Sequence, residues 1–283
     1  MIPAQFDYLA PTSVQEAIAA LAEAGDDAKV LAGGQSLLPI LRMRLNAPEK
    51  VIDLGRIEEL KGVTEDGDHL VIGAMTTYAD VLASDLVRQH AGLLTDAIAE
   101  VADPQIRHRG TVGGALVHAD PAGDLLAPAL ALGAQMVIQG GAGSRTVDAS
   151  DFFQDLFTTA VGEDELLTEV RVPKHTGWGA QYEKFTRVAQ QWSIVAVAAT
   201  VRVEGGTIAE ARIALTNMGS TPVRATAVEQ ALVGSAPTQE AVRAAAASAA
   251  EGTQPPSDTN GDADYRRHLA TVLTARAVLA ATG

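Results

Sequence analysis

The chain has no cysteine among its 283 residues. That excludes disulfides, thiol nucleophiles and thiolate-held iron–sulfur clusters within it. Any redox chemistry must therefore sit on an organic cofactor or on another subunit. No apolar run reaches ~18 residues before a charge interrupts it, so no segment is expected to span a membrane. The opening Met1-Ile2-Pro3-Ala4-Gln5-Phe6 lacks both a basic region and an apolar signal core. The chain therefore reads as cytoplasmic, with peripheral membrane association through partners left open. Positive charge is scarce too: 21 Lys and Arg against 35 Asp and Glu give a net charge of −14. No basic stripe appears, which argues against nucleic-acid binding. The same acidity means that a phosphate-bearing ligand needs local donors, chiefly backbone N–H groups and helix N-termini.

What is present is a globular composition. Hydrophobic residues make up 47%, no stretch looks disordered, and the length suggests roughly two domains. Ser13 and Glu16 form a capping box ahead of Val14, Ala17, Ile18 and Leu21 on one helical face, and Gly25 ends that helix. A strand over 29–32, a helix over 37–45 and a strand over 50–54 complete a small α/β unit. Beyond it the pattern predicts strands over 70–74, 135–138, 167–172 and 181–185. Helices are predicted over 78–82, 93–102 and 124–132, with a polar loop over 103–109. The segments 193–203 and 208–215 flank Gly205-Gly206, a β-hairpin signal. Helices then dominate over 223–232, 239–250 and 263–280, with a polar Pro/Gly loop over 252–261. The fold class is α+β, with a domain at 1–176 (subdomains about 1–56 and 57–176) and another at 177–283.

Two glycine pairs carry the chemistry. Gly33-Gly34 follows a strand and precedes a helix, where adjacent glycines permit positive φ and bring the backbone close to a ligand. The N–H groups of Gly34, Gln35, Ser36 and Leu37 can form an anion nest there, with the Ser36 hydroxyl beside them. An ordinary strand–turn–helix connection is the other reading. Neither a G-x-G-x-x-G nor a G-x-x-x-x-G-K-[ST] pattern is present, so any phosphate binding uses another architecture. Thr111-Val112-Gly113-Gly114 reads as a second glycine turn, and two such turns can grip both phosphates of a dinucleotide. Asp124 then either accepts sugar or ribityl hydroxyls or caps the helix beginning beside it.

At these turns the sequence resembles a known family. Ala32-Gly33-Gly34-Gln35-Ser36-Leu37-Leu38-Pro39 and Gln105-Ile106-Arg107-His108-Arg109-Gly110-Thr111-Val112-Gly113-Gly114 resemble the two FAD motifs of the molybdenum hydroxylase flavoprotein subunits. The likeness continues through His118-Ala119-Asp120-Pro121-Ala122-Gly123-Asp124 and ends in Asp264-Tyr265-Arg266-Arg267-His268-Leu269. Within that family the chain resembles the medium subunits of aerobic carbon monoxide dehydrogenases. The resemblance implies an N-terminal FAD-binding domain of the vanillyl-alcohol-oxidase and p-cresol-methylhydroxylase type, an α+β C-terminal domain, and non-covalent FAD. It places Ala32 to Leu37 on one side of the pyrophosphate, and Thr111, Gly114 and the segment through His118, Asp120 and Ala122 to Asp124 on the other. Asp124 takes a cofactor hydroxyl, Leu167 packs the adenine or flavin region, and Lys184 balances the cofactor's charge. Trp192 lies in a loop near the flavin ring.

The bland readings are a solvated strand lysine for Lys184 and a strand anchor for Trp192. His118 near Asp120 suggests a metal or a base, but with no third ligand evident it is read as a hydrogen-bonding residue of the site. Ala115 and His118 stand where relatives often carry asparagine, and Gln191 where an acid is frequent. No catalytic residue is assigned in this chain. By resemblance, partner subunits hold the iron–sulfur clusters and the molybdenum cofactor in a dimer of heterotrimers, and FAD passes electrons to an acceptor such as a quinone. The substrate is carbon monoxide, an N-heterocycle or an aldehyde. Rival readings are a free-standing FAD oxidoreductase of the same fold and a non-enzymatic scaffold.

Overall fold

In the computed structural model, which describes residues 2–283, the first helix forms where its capping signals stand. Ser13 Oγ accepts from the Glu16 amide (3.2 Å) while the Glu16 carboxylate reaches back to the Thr12 amide (2.8 Å). The helix Val14–Ala24 follows, stopped by Gly25 at φ 56°. It covers a three-stranded parallel sheet in the order Asp7–Leu9, Lys50–Asp53, Ala28–Leu31. The next helix, Leu37–Met43, ends two residues short of expectation because Arg44 turns left-handed (φ 58°).

The second part is a five-stranded antiparallel sheet in the order Val63–Asp66, His69–Gly73, Leu166–Pro173, Gln135–Gly140, Gly143–Asp148. Its two outer strands are largely exposed and carry no apolar alternation, which is why the sequence pattern does not mark them. Two expectations need correction here. The stretch 103–109 is not all loop: Asp103 accepts from the Ile106 amide (3.0 Å) and starts a one-turn helix, Pro104–Arg107, with proline at its first position. Nor is the second glycine pair a turn. Thr111 caps a helix, Val112–His118, and both glycines lie in its first turn. Gly113 is required there by packing, since a Cβ would sit 2.5 Å from the Ala74 Cβ.

The third part is a four-stranded antiparallel sheet in the order Gly179–Phe185, Val195–Glu204, Thr207–Thr216, Val223–Arg224. The hairpin at Gly205 (φ 58°) and Gly206 (φ 81°) is as the sequence predicts. Helices Thr226–Leu232, Gln239–Ala246 and Ala263–Ala281 pack on it. The expected helix over 223–232 is shorter because its first two residues pair with Ala214 and Leu215 as a strand. The central strand reads Val195-Ala196-Val197-Ala198-Ala199, and its two faces do different things. Val195, Val197 and Ala199 join the core beneath the C-terminal helices, whereas Ala196 and Ala198 join the core of the second part, with Tyr182 and Ala214. The alanine face lets the sheet lie close against helices Gly92–Ala99 and Leu126–Ala131. The two halves of the chain therefore share one continuous buried face, and the cofactor-sized space lies along it.

Candidate cofactor-binding site

A cavity of about 810 Å³ runs between the first glycine turn, the helix Val112–His118 and the C-terminal sheet. That size suits a small-molecule cofactor. Its first wall is Ala32 to Leu37. Gly33 packs directly on the neighbouring backbone, where a Cβ would stand 2.1 Å from the Arg109 carbonyl oxygen, and Gly34 takes φ 78°. Gln35 braces the turn, its Nε2 donating to Gly33 O (3.2 Å). The first amides that bond back are those of Leu38, to Gly34 O, and Ile40, to Ser36 O. The amides of Gly34, Gln35, Ser36 and Leu37 have no acceptor among the described residues, and the Ser36 hydroxyl makes no cap bond. A row of unpaired N–H groups on residues that line a cavity calls for an acceptor there, and an anion suits it best.

The second glycine pair contributes differently. Val112 donates to Thr76 O (3.1 Å), Gly113 to Ala74 O (2.8 Å) and Gly114 to Thr111 Oγ1 (3.2 Å). Its amides are engaged, so what it offers the cavity is close approach and the Thr111 hydroxyl. Gly114 faces the first turn, where an added Cβ would be 3.1 Å from the Ala32 Cβ.

Asp124 is not a helix cap. The helix Leu126–Ala131 is preceded by Leu125 and has no side-chain cap bond. Instead its Oδ1 accepts from Tyr182 Oη (2.8 Å) and Ser193 Oγ (2.8 Å), and its Oδ2 pairs with Lys184 Nζ (2.7 Å). Lys184 also donates to Glu100 O (3.0 Å). Both side chains of the ion pair are only 5% exposed, so Lys184 is not a solvated strand lysine. Burial first, then the charge of Asp124, pushes the Tyr182 phenol well above its ordinary value and keeps it a neutral donor. This wall is close to neutral overall. An anionic ligand here would therefore be met mainly by the amide row.

His118 lines the cavity, and burial holds its imidazole below the ordinary histidine range despite Asp120 nearby. No group of three His, Asp or Glu that would hold a metal occurs among the described residues. Asp120 lines the cavity and accepts from the Ala122 amide (3.0 Å). Ala122 alone of the expected residues lies off the cavity wall. Leu167 is a buried wall residue at a strand irregularity, and Trp192, 54% exposed, stands on the rim. The Trp192 loop is tied down by Gln191, whose Nε2 donates to Asn260 Oδ1 (3.2 Å) and whose Oε1 accepts from the Arg187 amide (3.2 Å).

Sequence reasoning missed Tyr182, Ser193 and Phe157. The first two act through Asp124 from far along the chain, and Phe157 lines the cavity from a hairpin tip. Backbone strain concentrates at this place. Of the non-glycine residues at positive φ, Ala102, Phe157 and Gln190 line the cavity, and Ala119 sits between lining residues His118 and Asp120. Asn217 donates from its amide to Pro121 O (2.9 Å) and from its side chain to Ser193 O (2.8 Å). Such residues cost about 1–3 kcal/mol each and gather where function requires them.

Two family models match the chain: the FAD binding domain in molybdopterin dehydrogenase over residues 4–175, and the CO dehydrogenase flavoprotein C-terminal domain over 180–281. The chain belongs to this flavoprotein family. It is 44% identical to the carbon monoxide dehydrogenase medium chain of Hydrogenophaga pseudoflava, over 99% of this chain and 98% of that one. It is 36% identical to the glyceraldehyde dehydrogenase medium chain of Sulfolobus acidocaldarius, over 98% of each. Among solved structures, a carbon monoxide dehydrogenase from Hydrogenophaga pseudoflava that lacks the Mo-pyranopterin moiety superposes with a TM-score of 0.97 at 46% identity, covering 100% of this chain and 99% of that one. Quinoline 2-oxidoreductase from Pseudomonas putida 86 superposes at 0.95 with 35% identity, covering 99% and 98%. The protein is thus an FAD-binding oxidoreductase subunit with the two-part α+β architecture that its motifs imply.

Proposed function

We propose that this flavoprotein is the electron-transfer subunit of an aerobic carbon monoxide dehydrogenase, working beside a molybdenum-cofactor subunit and an iron–sulfur subunit. The observation that carries the reading is the row of free amides from Gly34 to Leu37, set in a dinucleotide-sized cavity of a chain 44% identical to a carbon monoxide dehydrogenase medium chain. Bound FAD supplies an electron store that can exchange one or two electrons. The chain's own residues do the holding. The amide row and the Ser36 hydroxyl meet the pyrophosphate, with the Thr111 hydroxyl and Gly114 opposite. Asp124, held by its three donors, keeps acceptor capacity on Oδ2 for a cofactor hydroxyl. Leu167 packs against a ring of the cofactor, and Trp192 screens the rim from water. His118 and Asp120 line the segment between, with Ala122 fixing Asp120 through its amide.

The absence of cysteine agrees with iron–sulfur clusters lying in partner subunits, since this chain has no thiolate to hold one. A quinone acceptor, a dimer of heterotrimers and a cytoplasmic location with peripheral membrane contact belong to the same proposal; no described helix is long and apolar enough to cross a membrane. The aldehyde-oxidising and N-heterocycle-oxidising relatives at 35–36% identity support a second reading, in which the partner oxidises one of those substrates. An absorption spectrum with molybdenum and iron analysis of the natively purified complex tests the assembly, with about four irons expected per FAD if two two-iron clusters are present. Reduction of the flavin by carbon monoxide, and not by aldehydes or N-heterocycles, decides between the substrates. Flavin without either metal would refute the electron-transfer role.

A further inference from the structure

Phe157 stands at the tip of the hairpin formed by Phe153–Asp155 and Thr158–Thr159. Its φ is 54°, a conformation that glycine takes freely and a bulky side chain takes only under strain. The tip is fixed in that shape from within. The Leu156 amide donates to Asp155 Oδ1 (2.8 Å), the Thr158 hydroxyl donates to Leu156 O (3.1 Å), and the Ala160 amide donates to Phe152 O (2.9 Å) at the base. Phe157 is 52% exposed and belongs to none of the three apolar cores. It lines the cavity and meets the His118 ring at 5.2 Å between centroids, tilted by 42°. A large apolar residue left half exposed, on a backbone that disfavours it, adds to none of the fold's apolar cores. What it borders is the cavity.

The structure assigns Phe157 a direct cofactor contact: its ring closes the cavity beside His118 and lies against an aromatic ring system of the bound FAD. The inference rests on reading this cavity as the FAD site. FAD carries two flat ring systems, and either one would cover a face of Phe157 that water now wets, with the offset geometry that aromatic pairs favour. His118 supports the other side as a neutral ring. The strain at residue 157 is then the consequence of aiming that ring, and the local bonds of Asp155 and Thr158 hold the aim before the cofactor arrives.

The test uses the FAD-containing complex with Phe157→Gly and Phe157→Tyr, following release of flavin fluorescence on dilution, and the thermal midpoint of the deflavinated complex. Phe157→Gly removes the ring and relieves the backbone. FAD should leave about tenfold faster, equivalent to 1.4 kcal/mol, while the flavin-free midpoint stays level or rises. Phe157→Tyr should restore release to within twofold of wild type. Faster release and a level midpoint together separate contact from mere structural support. Wild-type release from Phe157→Gly would overturn the inference, and coupled loss of a partner subunit would then place the ring on a docking surface instead. A falling midpoint with flavin loss in proportion would also overturn it. A wild-type complex that holds no FAD would overturn both this inference and the function on which it rests.

Discussion

Replacing Gly33 by alanine adds one methyl group where the two glycine segments touch. That Cβ would lie 2.1 Å from Arg109 O, 2.8 Å from Arg109 C and 2.9 Å from Gly110 Cα. All three are backbone atoms, and the closest contact falls about 0.9 Å short of the 3.0 Å below which real Cβ atoms are essentially never found. The far side cannot yield readily. Gly110 donates to Ile106 O (2.7 Å), accepts from the Tyr78 amide (3.0 Å), and has no room against the Tyr78 ring. The first turn must therefore move, carrying with it the amides of Gly34 to Leu37. Overpacking of this kind costs about 1–3 kcal/mol of stability, and a displacement near 1 Å at a binding wall can cost on the order of 100-fold in function. FAD titration of the deflavinated complex should show a dissociation constant raised about 100-fold, equivalent to roughly 2.7 kcal/mol. Gly141→Ala is the control, because nothing lies within 4 Å of its Cβ position. A Gly33→Ala complex that binds FAD as tightly as wild type would refute the amide-row reading.

Asp124→Ala should do more than loosen FAD, because it strands Lys184 as an uncompensated buried charge; a loss of about 3–5 kcal/mol in denaturant unfolding is expected, and a loss under 1 kcal/mol would contradict the pairing. Ser36→Ala removes a hydroxyl that caps nothing, so the unfolding midpoint should hold while FAD affinity falls about tenfold, near the ~1.5 kcal/mol of a hydrogen bond to a charged group; an unchanged affinity would remove Ser36 from the site. Burial lowers both His118 and His175 from 6.5. The unfolded chain then takes up protons first, so stability is lost as pH falls below 6.5 toward the folded values. The urea midpoint should drop between pH 7.5 and 5.5, and His175→Gln should drop less; an equal drop in both would refute the assignment for His175.

How much of this was legible in the sequence depended on how local the cause was. Gly33-Gly34 between a strand and a helix announced its turn, because the strand, the glycines and the helix are contiguous. Thr111 looks locally like part of a turn, although its hydroxyl caps a helix. The glycines beside it looked like punctuation, and their reason is packing against Ala74 and Ala32. The partners of Asp124 lie 58 to 69 residues further on, and no periodicity carries information over that distance. Helix capping was thus a reasonable local reading, and the folded chain replaces it with a tertiary one. Phe157 was invisible for a related reason. Its strain exists only once the hairpin has closed, and nothing in Asp-Leu-Phe-Thr marks a left-handed residue, which glycine or asparagine would have done.

The donors to Asp124 also bear on the order of events during synthesis. A nascent chain that has emerged through the strand Leu166–Pro173 already carries both glycine segments and most of the cavity wall. It lacks Tyr182, Lys184 and Ser193, so Asp124 is without the three donors that hold it, and the alanine face that packs on the helices Gly92–Ala99 and Leu126–Ala131 does not yet exist. At roughly 5–20 residues per second, the strands that supply them follow within several seconds. Until then the part of the cavity wall made by Lys184 and by Gln190 to Trp192 is missing. The Asp124 side of the cavity is thus completed by residues of the chain's last-made sheet and the loop beside it, after the motifs that first advertise the site.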